Sequence, residues 1–135
     1  RIIDDYAHHP VEITACLKAA RAIQGQGRVI AISQPHRYSR LSDLFEDFAQ
    51  CYREADIAVI TPVFAAGEAP IDGVDHTALV ESMREHGHKM AQTLNDLDDL
   101  PALLKEIVQP GDMVVCMGAG SISAHANGLI EALDA

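Results

Sequence analysis

Strand-like and helix-like segments alternate about five times along this chain, and that alternation restricts the fold more than any other feature. Residues 28–33 (RVIAIS), 56–61 (DIAVIT) and 112–117 (DMVVCM) are short apolar runs of the kind buried on both faces of a parallel sheet. Ile2 and Ile3 ahead of Asp4 and Asp5 read as a further strand, and residues 88–94 as a weaker one. Between them apolar residues recur at helical spacing. The sets are Ile13, Cys16, Leu17 and Ala20, then Leu41, Leu44, Phe45, Phe48 and Tyr52, then Leu79, Val80 and Met83. Leu100, Leu103, Leu104, Ile107 and Val108 mark another helix, and Ile122, Ala126, Leu129, Ile130 and Leu133 the last. Pro10 suits a first helical turn, Asp75 can cap a helix, and Gly25, Gly27, Gly87 and Pro110-Gly111 end helices. The pattern calls for an α/β fold: a Rossmann-like, doubly wound, mostly parallel sheet with helices on both faces. A chain of 135 residues suits one domain, 1–135, with a hydrophobic core of its own.

Charge narrows the partners. A net charge of −10 argues against nucleic acid and anionic membranes. No apolar run approaches the roughly 20 residues that span a bilayer. Residues 1–40 nevertheless hold six Lys/Arg against three Asp/Glu, while the remainder holds four against seventeen. That reads either as a basic corner holding a small anionic ligand or as a chance fluctuation. Cys16, Cys51 and Cys116 sit among apolar residues, with no C-x-x-C pair, and read as buried thiols of a reducing cytoplasm. The first residue, Arg1, leads straight into a strand with no initiator Met, so the chain reads as part of a longer polypeptide.

In such a fold ligands gather beyond the carboxyl ends of the strands. The segments Asp4–His9, Gln34–Arg40, Ala66–Gly73 and Gly118–Ser121 all fall there. His8 and His9 are adjacent, so they point opposite ways if extended. One can pack against or cap the helix at Pro10 while the other faces the ligand edge; a metal site would need a third ligand that the sequence does not offer. Arg37 and Arg40 lie on a polar loop, 34–40, entering a helix, with His36 beside them. Guanidinium groups grip carboxylates and phosphates through paired hydrogen bonds. The bland alternative is that the two arginines pair with Asp43 or Glu46. Gly118-x-Gly120 resembles a dinucleotide loop only weakly, because it follows the last strand and lacks the acidic partner about 20 positions on. Its glycines equally suit a close approach of backbone to a neighbour. His76, His86, His88 and His125 are scattered and read as surface residues. No G-x-x-x-x-G-K-[ST] loop is present to cradle ATP phosphates.

At Asp4-Asp5-Tyr6-Ala7-His8-His9-Pro10 and Gln34-Pro35-His36-Arg37-Tyr38-Ser39-Arg40 the chain resembles the C-terminal domain of the Mur ligase family. The likeness is strongest to the branch that joins L-alanine to UDP-N-acetylmuramate. AGEAPI-x-G from Ala66 and GAGSI from Gly118 agree in order and spacing. The resemblance implies a cytoplasmic three-domain enzyme of peptidoglycan precursor synthesis, whose N-terminal and central domains accompany this one. The central domain would hold most of ATP and Mg²⁺, and the domain alone would be inactive. The implied reaction phosphorylates the sugar's lactyl carboxylate, and the amine of L-alanine then attacks the acyl phosphate. By motif, Asp5 is implied as a contact to the sugar of ATP, and Tyr6 and His8 as amino-acid or active-site contacts. His36, Arg37 and Arg40 are implied to hold the L-alanine carboxylate and steady developing charge. No metal ligand and no general base are assigned here. Ser33, Leu41 and Phe64 depart from residues common in the family, which touches fine specificity. The family domain usually carries an antiparallel strand ahead of this start, so an exposed or covered sheet edge is expected. Two other readings are a recycling ligase that attaches a preformed peptide to the same sugar, and a nucleotide-binding module without ligase activity.

Overall fold

Two strands that the sequence marks as apolar on both faces form the middle of the sheet. In the computed structural model, which describes residues 2–134 and side chains as far as Leu129, β2 (Val29–Ser33) and β5 (Met113–Met117) are buried along their whole lengths. They pair in parallel, Val29 opposite Met113 through Ser33 opposite Met117. β1 (Ile2–Asp5) lies on the other side of β5, and β3 (Ile57–Ile60) and β4 (Ala91–Thr93) extend the sheet beyond β2. The order is β1-β5-β2-β3-β4, and every pairing is parallel. The expected doubly wound architecture is therefore present, with the weak segment 88–94 supplying the edge strand β4.

Alternation along each strand divides the core in two. Val29 and Ala31 face α1 (Pro10–Gln24), α2 (Tyr38–Asp43), α3 (Phe45–Gln50) and α4 (His76–Glu85), through Leu17, Leu41, Phe48 and Leu79. Ile30 and Ile32 face α5 (Leu100–Ile107) and α6 (Ile122–Asp134), through Leu100, Leu104, Ile122 and Leu129. Each fully buried Leu or Ile stabilises the fold by roughly 1.5–3 kcal/mol relative to exposure. The apolar positions expected at Ile130 and Leu133 lie outside the described side chains. No helix among the described residues is long and apolar enough to cross a membrane.

Three expectations change in the fold. The polar loop 34–40 is not all loop, because α2 begins at Tyr38 and carries Arg40. The single helix expected over Leu41–Tyr52 is broken at Leu44 (φ −118°, ψ 25°). Its two halves answer to different neighbours: α2 is fastened to the loop after β3, whereas α3 packs on α4. Tyr52 falls past the end of α3, and its buried hydroxyl meets that of Ser33 at 2.7 Å. Burial pushes the Tyr52 phenol well above its ordinary range. Finally, Cys16 is only half-buried, although Cys51 and Cys116 are buried as expected. Burial and the nearby Asp5 push the Cys16 thiol up to about 11, and burial pushes Cys116 up to about 12.

Candidate functional site

The site begins with how α1 starts. His9 is its N-cap: the ring Nδ1 accepts the Val11 N–H at 3.3 Å, and Glu12 reaches back to the His9 N–H at 3.1 Å. This capping box with Pro10 behind it fixes the turn after β1. With His9 so engaged, His8 points the other way, towards the sheet's carboxyl edge. Its Nδ1 donates to the Tyr6 carbonyl at 3.0 Å, and its ring meets that of His36 edge-on at 5.5 Å. The two histidines thus divide their tasks as their adjacency implies, and they turn towards separate partners. Among the described residues no group of three His, Cys, Asp or Glu gathers as a metal cage.

Loops after β1 and β2 meet above β5, which lies between those strands. The loop after β2 brings His36 onto Phe64, the rings stacked at 5.5 Å and 14° apart. The Arg37 N–H donates to the Phe64 carbonyl and the Phe64 N–H to the Pro35 carbonyl, both at 2.8 Å. From α2, Arg40 Nη1 lies 3.1 Å from His36 Nδ1. A guanidinium only donates, so this Nδ1 accepts and the ring carries its proton on Nε2. Burial, reinforced by the charges of His8, Arg40 and Arg37, holds His36 below the usual histidine range. The imidazole is therefore neutral near pH 7 and offers an N–H at its outer edge.

Tyr6, His8, His36 and Arg40 thus form one continuous group. Tyr6 is 68% exposed, with its ring edge-on to His8 at 6.0 Å. Arg37 sits on the outer flank, exposed and at φ 72°, an unusual conformation for a side-chain-bearing residue. Asp5 lies beneath, and one carboxylate oxygen accepts the Ala7 N–H at 2.8 Å. Neither Arg37 nor Arg40 reaches a carboxylate within 4 Å among the described residues, so the expected alternative of pairing with Asp43 or Glu46 is not realised.

The basic corner is smaller than the charge count over residues 1–40 implies. Arg21 and Arg28 lie at the opposite, amino end of the strands, paired with Asp56 and Asp112. Lys18 lies on the exposed side of α1, and Arg1 is outside the described residues. A strand of five residues carries the chain some 16 Å at about 3.3 Å per residue, so neighbours in sequence end up on opposite edges. Nor are the scattered histidines idle at the surface: His88 is half-buried and donates to the Ala55 carbonyl at 2.9 Å.

Sequence reasoning did not single out Gln34. Its side chain is buried at the crevice where chain paths from β2 and β5 diverge to opposite faces. Its Oε1 accepts the Ile122 N–H at 3.1 Å and its Nε2 donates to Ser121 Oγ at 2.9 Å. Gln34 therefore occupies the amino end of α6, where a dinucleotide pyrophosphate would sit in the classical fingerprint. A Cβ on Gly120 would lie 2.5 Å from the Phe64 ring, and one on Gly118 2.7 Å from Ile122. The two glycines thus serve close packing, and the dinucleotide-module reading loses its basis. Glu68, noted only within the Ala66–Gly73 segment, accepts hydrogen bonds from the backbone and hydroxyl of Ser39 in α2. A first helical turn lacking a local cap is the sequence signal for such a partner.

Comparison with known proteins fits this geometry. Residues 1–120 match the family model described as Mur ligase, glutamate ligase domain. The chain is 60% identical over 132 residues to the UDP-N-acetylmuramate–L-alanine ligase of Ruegeria pomeroyi, covering 98% of this chain and 28% of that protein. It thus spans little more than a quarter of that curated relative. The crystal structure of UDP-N-acetylmuramate–alanine ligase from Thermotoga maritima superposes with a TM-score of 0.74 at 25% identity, covering 98% of this chain and 26% of that one. A murein peptide ligase from Psychrobacter arcticus shares the fold almost as well (TM-score 0.72, 23% identity, 98% of this chain and 27% of that one). A parallel five-stranded sheet of this order, its conjoined histidines and arginine at the carboxyl edge, and a match across nearly nine-tenths of its length place this chain in the Mur ligase family, as its glutamate ligase domain.

Proposed function

We propose that this chain is the C-terminal domain of a cytoplasmic ATP-dependent ligase that joins L-alanine to UDP-N-acetylmuramate in peptidoglycan precursor synthesis. The observation that carries the reading is the guanidinium of Arg40, oriented by a neutral His36 and with no carboxylate within 4 Å among the described residues. Such a group is prepared to receive a carboxylate, and an incoming amino acid brings one. The 60% identity to a relative bearing that activity in its name supports L-alanine over a preformed peptide as the second substrate.

ATP and Mg²⁺ belong to the rest of the reaction's machinery. Among the described residues no three His, Cys, Asp or Glu gather to hold a metal ion, and the helix amino end at the strand divergence is filled by Gln34. In this reading the central domain of the longer protein holds the nucleotide phosphates and metal, and Asp5 approaches the nucleotide sugar. The amide between the lactyl carbonyl and the amine of L-alanine forms as the carbonyl–oxygen bond of the acyl phosphate breaks; inorganic phosphate leaves with the bonding pair, and the amine's proton goes to solvent. Arg40, with Arg37 on its flank, grips the L-alanine carboxylate. The His36 Nε2–H is placed to donate to an oxygen gaining negative charge, while Tyr6 and His8 close the near side. The contribution is positioning and electrostatic stabilisation, with no proton taken by this domain. Alone, the chain holds half a site and is inactive.

The test is ADP release by the full-length protein given UDP-N-acetylmuramate, ATP and either L-alanine or the L-alanyl-γ-D-glutamyl peptide. Turnover with L-alanine supports the reading. Turnover only with the peptide assigns the chain to a recycling ligase, and turnover with neither removes the ligase reading.

A further inference from the structure

The turn that follows β3 is shaped to deliver one carboxylate. Ala66 (φ 52°) and Gly67 (φ 88°) both adopt left-handed conformations, and the Glu68 N–H closes the turn onto the Ala65 carbonyl at 3.0 Å. Ala pays for that conformation where Gly does not, so the tight reversal is held by its surroundings. The turn carries Glu68 to the first turn of α2, 29 residues away in sequence. There one carboxylate oxygen accepts the Ser39 N–H at 3.1 Å and the other accepts the Ser39 hydroxyl.

This first turn has no cap of its own. Its N-cap position is Arg37, at φ 72° and with no side-chain capping bond. Glu68 supplies the missing acceptors from another loop. Below it the two loops are already joined through Pro35, Arg37 and Phe64. Arg37 and Arg40 bracket Ser39 in sequence, and Arg40 reaches His36 from this same short helix. Leu41, fully buried, anchors the far side of α2 independently. Loss of Glu68 therefore frees the first turn without releasing the helix from the core.

We propose that Glu68 is a positioning residue for amide formation: through Ser39 it fixes the first turn of α2 and so the direction in which Arg40 presents its guanidinium beside His36. Glu68 touches neither substrate. This deepens the function proposed above and rests on it. Its acidic charge also lies close enough to Arg37 for the two to attract.

The experiment uses the full-length enzyme and begins with the unaltered protein, so that absence of L-alanine turnover there rejects the function and not the role of Glu68. With turnover established, Glu68→Ala is expected to raise KM for L-alanine at least about 10-fold. KM for ATP and for UDP-N-acetylmuramate and the melting temperature should stay close to their starting values. Glu68→Gln, which keeps one acceptor oxygen, should fall between the two. Ser39→Ala combined with Glu68→Ala should be no more than about twofold worse than Glu68→Ala alone, because both remove one latch. An unchanged KM for L-alanine overturns the proposal, as do a parallel rise in all three KM values with a fall in melting temperature, and independent multiplicative effects in the double variant.

Discussion

The two ends of the sheet use arginine in opposite ways. At the amino end, Arg28 meets the buried Asp112 at 2.7 Å and also donates to the Ile107 carbonyl, tying β2 to the segment before β5. Arg21 in α1 joins Asp56 and the carbonyls of Gly27 and Glu54. Every one of these donors finds its acceptor within the chain. At the carboxyl end Arg40 is oriented by an imidazole, and among the described residues no carboxylate balances it within 4 Å. Internal pairing marks charge that holds the fold. Charge positioned but left unbalanced marks a place for a ligand's anion. Counting basic residues along the sequence merges the two; their partners separate them.

The contrast can be broken or sharpened by experiment. Arg40→Ala in the full-length enzyme should produce the largest effect, a loss in kcat/KM for L-alanine on the order of 2–5 kcal/mol, with little change in melting temperature. Unaltered kinetics would take Arg40 out of the site and erase the distinction between the two ends. Asp112→Asn should do the reverse, costing about 1–3 kcal/mol of stability, between an exposed and a fully buried pair, while leaving the L-alanine KM alone. Thermal denaturation of this chain and steady-state kinetics of the longer enzyme check the two halves of that statement.

The same end of the sheet sets a pH dependence. The Arg28 guanidinium holds Asp112 below the ordinary carboxylate value of 3.8. Burial pushes Asp56 upward, but the Val29 N–H and the Arg21 guanidinium outweigh it and hold that carboxyl low as well. Carboxylates depressed by folding contribute stability that is complete above their unfolded value and lost as pH falls through the folded one. Stability should therefore decline below about pH 4, and Asp112→Asn should make that decline shallower; an equally steep acid limb in the variant contradicts the assignment. The smallest effect is expected from His9→Ala, which removes a cap and should cost about 0.5–1 kcal/mol with normal L-alanine kinetics. A large kinetic defect there would mean that His9 faces the ligand rather than serving as a cap.

Much of this was legible beforehand where the signal is local. The apolar run of β2, the capping role of Asp75 and the partition of His8 and His9 follow from period, cap chemistry and pleat, and each is found. The break at Leu44 was not legible, because the apolar spacing through Leu41, Leu44, Phe45 and Phe48 continues across it. The two halves contact neighbours distant in sequence, the loop after β3 and α4. The individual roles of Gln34 and Glu68 were not legible because their partners, Ile122 and Ser39, are 88 and 29 residues away.

The sequence by itself determined the layer architecture, the edge of the sheet where the polar loops gather and, through two motifs, the family. Periodicity and capping act over a few residues, and strand direction then dictates which loops share an edge. Tertiary structure alone decided which arginines are spent on ion pairs, which imidazole nitrogen faces Arg40, and that Gln34 fills the last helix's amino end. Those outcomes depend on hydrogen-bond partners brought together by crossovers of the chain, and no short-range pattern encodes a partner that far away.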